Sequence, residues 1–192
     1  KVIRTDGGET VYENNARGEV TRVRDGNNHE RMYTYDARGL VTSERDGAGN
    51  VVSNRYNGLG QKVWTRDGRG RETGYEYTGF DRVKRVLYAD GSVVSNRYDS
   101  RMNLVGVRDG LGREQEREYD GLGRVVVTGD RKGYGVTNEY DAVGRLVKVG
   151  DGRWWEERRY DAVGRLVSVK DTLGEVATNR YDAAGRLVWR RD

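Results

Sequence analysis

Tyr140-Asp141-Ala142-Val143-Gly144-Arg145-Leu146-Val147 returns residue for residue as Tyr160-Asp161-Ala162-Val163-Gly164-Arg165-Leu166-Val167. The same register carries Tyr35, Tyr56, Tyr77, Tyr98, Tyr119 and Tyr181, with Asn14 in the equivalent first place. The spacing is 21 residues, shortened to 20 between Tyr140 and Tyr160. A fixed period of this size marks a repeat architecture, in which each unit buries its surface against its neighbours. A second phrase, Val51-Val52-Ser53-Asn54-Arg55-Tyr56, returns at Val93 to Tyr98.

Each unit carries two turn signals. Asp36-Ala37-Arg38-Gly39 is followed in the same repeat by Asp46-Gly47-Ala48-Gly49. An aspartate that opens a turn accepts from backbone N–H groups ahead of it, and a glycine in fourth place supplies the positive φ that reopens a strand. Asp36 and Gly39, Asp141 and Gly144, Asp161 and Gly164, and Asp182 and Gly185 are therefore structural turn residues. Between the turns lie segments such as Arg145-Leu146-Val147-Lys148-Val149, β-branched and too short for a stable helix. The expectation is all-β: tandem 21-residue β-hairpins in one long antiparallel meander of about 17 short strands. A sheet so wide, about 80 Å at ~4.8 Å per strand, is expected to curl into a spiral strip, tube or shell segment.

Composition agrees. Hydrophobic and charged residues each make up 34% of the 192, and mean hydropathy is −0.95, which argues against a thick two-layer core. Glycine is abundant at 28 residues while proline is absent, as a continuous sheet with few tolerant edges demands. The absence of cysteine removes disulfides and thiolate metal sites. No apolar run is long enough to span a membrane. Positive and negative side chains alternate throughout, so the net charge of +4 marks no basic block.

A Tyr-Asp-x-x-Gly-Arg-Leu-Val unit recurring about every 21 residues resembles the YD-repeat or Rhs family of toxin shells, wall-associated proteins and teneurins. The resemblance covers nearly the whole chain, as one array of nine repeats starting near Asn14, Tyr35, Tyr56, Tyr77, Tyr98, Tyr119, Tyr140, Tyr160 and Tyr181. It implies a β-strip that spirals into a hollow shell, commonly around a toxic C-terminal domain. It also implies secretion or surface display. Four departures stand out: Asp81 and Met102 replace the turn glycine, Tyr88 the second-turn aspartate and Asn14 the tyrosine. Asp81 is expected to accept a left-handed backbone and the turn at Met102 to change type. The family's self-cleavage motif contains proline, which this chain lacks.

Candidates for chemistry are few. The single histidine, His29, lies in or beside a hairpin turn, and the recurrent aspartates occupy turn slots instead of forming an acid/base pair. Corners such as Asp67-Gly68-Arg69-Gly70 resemble calcium-binding repeats but have few acidic companions. No catalytic residue, metal or cofactor is expected. The register tyrosines read as a structural ladder covering the sheet. Trp154 and Trp155, in the shortened repeat, are the candidate ligand contact, ahead of Trp64 and Trp189. Mixed charge in the slot before each tyrosine disfavours nucleic acid. The leading expectation is a non-catalytic scaffold, a curved β wall that encloses or displays another domain. The alternatives are a surface adhesion module for carbohydrate or protein, and a β-propeller with blades of paired repeats. Bare sheet edges at both ends are expected to pair with further repeats or a second copy.

Overall fold

The computed structural model describes residues 2–3, 9–130, 133–174 and 176–191. It is all-β, with 19 strands. Backbone packing divides the chain into two compact units, Lys1–Ser95 and Asn96–Asp192.

The first unit contains β1 (Val2–Ile3), β2 (Glu9–Asn14), β3 (Val20–Arg24), β4 (Glu30–Tyr35) and β5 (Val41–Asp46). It continues with β6 (Val51–Tyr56), β7 (Lys62–Arg66), β8 (Glu72–Tyr77) and β9 (Val83–Tyr88). The boundary falls inside β10 (Val93–Tyr98). The second unit holds β11 (Leu104–Arg108), β12 (Glu114–Tyr119), β13 (Val125–Asp130), β14 (Gly135–Tyr140) and β15 (Leu146–Gly150). It ends with β16 (Trp155–Tyr160), β17 (Leu166–Asp171), β18 (Val176–Tyr181) and β19 (Leu187–Arg191). The expected count of about 17 strands falls short of the 19, of which the two-residue β1 lies ahead of the first complete repeat.

Within each unit, every strand pairs antiparallel with its sequence neighbour. Unbroken pairing from β2 through β9, and again from β11 through β19, leaves no separate blades, which rules out the propeller within either unit. No hydrophobic side chain is buried among the described residues. Within each unit the sheet is a single layer, and its stability rests on contacts between adjacent strands.

Two kinds of hairpin alternate. Across the tyrosine-side turn, β4 and β5 pair from Arg31 opposite Asp46 to Thr34 opposite Ser43, then slip so that Tyr35 faces Val41. The slip is a β-bulge, the companion of a three-residue loop closed by a left-handed residue. Across the other turn, β5 and β6 pair only from Arg45 opposite Val51 to Ser43 opposite Ser53.

The turn residues explain the loops. Asp141 N–H donates to the Arg145 carbonyl, and Gly144 N–H donates to the Asp141 carbonyl, at 3.0 Å each. Gly144 and Gly164 sit at φ 90°, where an L side chain is strained. The shortened repeat drops to a two-residue loop: Asp151 N–H donates to Trp154 O, and Gly152 takes φ 85° at the first central position, as a type II′ turn needs.

Asp81 is left-handed at φ 61°. Met102 departs from expectation, because its turn does not change type. Met102 is left-handed at φ 64° and keeps the usual bond to the Asp99 carbonyl, since Asp99, whose carboxylate accepts the Arg101 and Asn103 N–H groups, holds the loop closed. A methionine there stores strain, so Met102→Gly is expected to stabilise the chain by up to about 1 kcal/mol in urea melts, after allowance for glycine's unfolded-state entropy. Tyr88 keeps its turn by a substitute: Asp90 Oδ1 accepts the Ser92 N–H in place of the missing aspartate.

Candidate interface along the hairpin rims

The repeat residues meet along the rim formed by the tyrosine-side turns. Asp141 Oδ1 accepts the backbone N–H groups of Val143 and Arg145, and Asp161 Oδ1 does the same for Val163 and Arg165. Asp36 holds Arg38 and Leu40 likewise, and Asp182 holds Arg186. These bonds, chiefly the one from the N–H four residues ahead, hold the carboxyls of Asp36, Asp141, Asp161 and Asp182 below the ordinary range, against some opposing desolvation.

The arginine after the turn glycine links one repeat to the next. Arg145 Nε donates to Asp141 Oδ2 at 2.6 Å, and its terminal nitrogen donates to the Asp161 carbonyl at 3.2 Å. Its guanidinium carbon stands 4.9 Å from the centre of the Tyr160 ring. Arg124 repeats this with Asp120, Asp141 and Tyr140, and Arg165 with Asp161, Asp182 and Tyr181. In the first unit the donor comes from inside the turn: Arg17 reaches Ala37 O and Arg38 reaches Asn57 O. Sequence alone assigns these arginines no role. The available signal is the arginine that follows the turn glycine at positions 124, 145, 165 and 186.

The tyrosines do more than cover the sheet. The hydroxyls of Tyr35, Tyr56, Tyr77, Tyr119, Tyr140, Tyr160 and Tyr181 donate to the carbonyls of Val20, Val41, Lys62, Leu104, Val125, Leu146 and Leu166. Each acceptor lies on the preceding strand, beyond the point where registered pairing stops. In three repeats the amide of an asparagine two residues before the tyrosine shares the acceptor: Asn54 with Tyr56 on Val41, Asn138 with Tyr140 on Val125, and Asn179 with Tyr181 on Leu166. Side chains thus complete the ladder where the strands separate. Tyr140→Phe is expected to cost only about 1 kcal/mol in chemical denaturation, because Asn138 still satisfies Val125.

The other candidates lie apart from one another. His29 is an exposed turn residue whose Nδ1 sits 3.0 Å from Asp25 Oδ2. The Trp154 indole is 43% exposed at the loop end, while Trp155 opens β16 opposite Gly150 and has Lys170 near its ring. Arg55 covers Trp64 and Arg180 covers Trp189. Among the described residues no group of three His, Cys, Asp or Glu side chains is placed to hold a metal ion, and no helix is long and apolar enough to cross a membrane.

This geometry can be set against known proteins. The family model described as RHS Repeat matches residues 15–51 and 160–189. These segments are RHS repeats. No curated protein matches the sequence significantly. Among solved structures, the crystal structure of TcdB2-TccC3-TEV aligns with 95% of this chain at a TM-score of 0.75 and 18% identity. The crystal structure of TcdB2-TccC3 aligns with 94% at a TM-score of 0.67 and 13% identity. A Photorhabdus luminescens Tc holotoxin pore structure aligns with 93% at a TM-score of 0.52 and 15% identity. At these identities the likeness is one of fold, and this chain spans only 11%, 12% and 10% of those three chains.

Proposed function

We propose that this RHS array is a stretch of non-catalytic wall, a curved β strip that encloses or displays another domain, as in a toxin encapsulation shell. The observation that carries the reading is the single-layer sheet: no apolar side chain is buried among the described residues, and consecutive repeats are tied rim to rim by arginine and strand to strand by tyrosine. Such a sheet offers two broad surfaces, which suits a geometric use. Repeat number and twist set the enclosed space. The likeness in fold to TcdB2-TccC3 supports the shell reading and, with it, a secreted or surface setting. On this reading residues 1–192 form one continuous array that joins further repeats at its edges.

The test is cryo-electron microscopy of the gene product carrying this segment, with limited proteolysis. An enclosed segment that resists protease until the wall is opened by acid supports the reading. An extended array with every other domain equally cleavable overturns it. A second reading, a carbohydrate-binding surface module, has the exposed indole of Trp154 in its favour. Saturable glycan binding lost in Trp154→Ala and Trp155→Ala variants would favour it.

A further inference from the structure

One surface of the first unit carries a row of cations that the wall does not use. Arg24, Arg45 and Arg66 are the last residues of β3, β5 or the one before its end, and β7, and all three are exposed. Cross-strand pairing places them on one face: Arg22 stands opposite Met32, Met32 opposite Arg45, Arg45 opposite Val51, and Ser53 opposite Arg66. Two strand spacings and a two-residue offset along the strands separate consecutive members, so the row runs obliquely with a step of about 12 Å and a span of about 23 Å.

None of the nearby carboxylates among the described residues forms an ion pair with this row. Glu30, opposite Arg24, is held by Arg22, and Glu72, opposite Arg66, accepts the Trp64 indole N–H at 3.2 Å. The adjoining aspartates are spent on their own turns. Asp25 accepts from Asn27, His29 and the His29 ring, Asp46 from Ala48 and Asn50, and Asp67 from Arg69 and Arg71. Among the described residues none of the three arginines has an ion-pair partner within 4 Å. The repeat alone does not impose this: the same slot holds Leu87 in the first unit and, in the second, Arg108 with Glu114 at 3.8 Å, Gly129, Gly150, Lys170 near the Trp155 ring, and Arg191.

We propose that Arg24, Arg45 and Arg66 form a binding row for a polysulfated glycan, each guanidinium taking one sulfate through paired N–H donors. Ser43 and Ser53, directly opposite each other on the same face between Arg45 and Arg66, add hydroxyl donors. A glycan fits better than a nucleic acid strand. Strand binding without sequence preference stacks successive bases on exposed aromatics, whereas the single tryptophan on this face, Trp64, is already covered by Arg55 at 4.4 Å.

The experiment titrates the intact chain with a heparin-derived oligosaccharide long enough to span about 23 Å, at about 50 and about 200 mM salt. Arg24→Gln, Arg45→Gln and Arg66→Gln are combined in one variant. Arg31→Gln, Arg82→Gln and Lys84→Gln in another remove the same three charges from elsewhere in the unit. The row variant is expected to lose at least about tenfold in affinity, the other no more than about threefold, and wild-type binding to weaken at least tenfold at the higher salt. Should the triple row variant melt early, Arg45→Gln alone is expected to lose about threefold. Equal losses in the two variants, no binding by the wild type, or tighter binding of an oligothymidylate than of the glycan would each overturn the proposal.

Discussion

Replacing Gly144 and Gly164 together by valine is expected to cost about 2–4 kcal/mol, because both residues sit at φ 90° and an L residue there is penalised by about 1–2 kcal/mol each. The penalty comes from the backbone. A β carbon at either site would meet only an arginine nitrogen, at 3.6 Å for Gly144 and 3.7 Å for Gly164, which is ordinary contact. Those nitrogens belong to Arg124 and Arg145, the staples of the preceding turns, so branched side chains also press on the link between repeats. Gly121→Ala is the contrasting case. Gly121 lacks a positive φ and has open space around it, so its replacement should leave the melting curve almost unchanged. Gly144→Asn should fall between the two, since Asn28 holds φ 62° in this same chain. Equal melting of the valine and alanine variants in chemical denaturation would show that the left-handed corners do not hold the hairpins.

Acid is expected to loosen the whole array cooperatively. The carboxyls of Asp36, Asp67, Asp120, Asp141, Asp161 and Asp182 lie below their ordinary value of 3.8, in each case first because the backbone N–H four residues on donates to the ionised form. A carboxyl lowered by folding contributes stability that is fully present above the unfolded value and disappears as pH falls through the folded one. Stability should therefore be flat from neutral pH down to about 5, then fall steeply below about 4 as one turn after another loses its acceptor. The arginine staples lose their charged partner over the same interval. Asn15 and Asn57 already hold their turns with a neutral carboxamide that accepts the same backbone groups. A variant with asparagine at 120, 141 and 161 should then melt lower at pH 7 but lose less between pH 5 and 3. Thermal melts followed by circular dichroism across that range decide it, and a wild-type profile parallel to the variant's would contradict the role given to the carboxylates.

The hairpins were legible because aspartate and glycine act within four residues of each other, and local turn chemistry needs no knowledge of the partner strand. The links between repeats were not. Tyr56 meets Val41 across 15 residues only because a bulge follows Arg55 and because pairing between β5 and β6 ends at Ser43 and Ser53. Spacing shows that a tyrosine recurs, and it says nothing about which carbonyl the hydroxyl reaches. Met102 illustrates the limit in the other direction. Propensity argued for a changed turn, while neighbours that already fix the loop force the methionine into a left-handed backbone. The arginine row on β3, β5 and β7 escaped a composition-based reading for a similar reason. Charges that balance along the chain need not balance on one face of a sheet.

The account depends on adjoining extended segments that run in opposite directions, and nuclear Overhauser contacts in the labelled chain test this most directly. Ser53 should contact Ser43 on one side and Arg66 on the other, the pattern of an antiparallel meander. Contacts from Ser53 to Gly74, one 21-residue period away and without those to Ser43 and Arg66, would mean parallel stacked coils and would contradict the account.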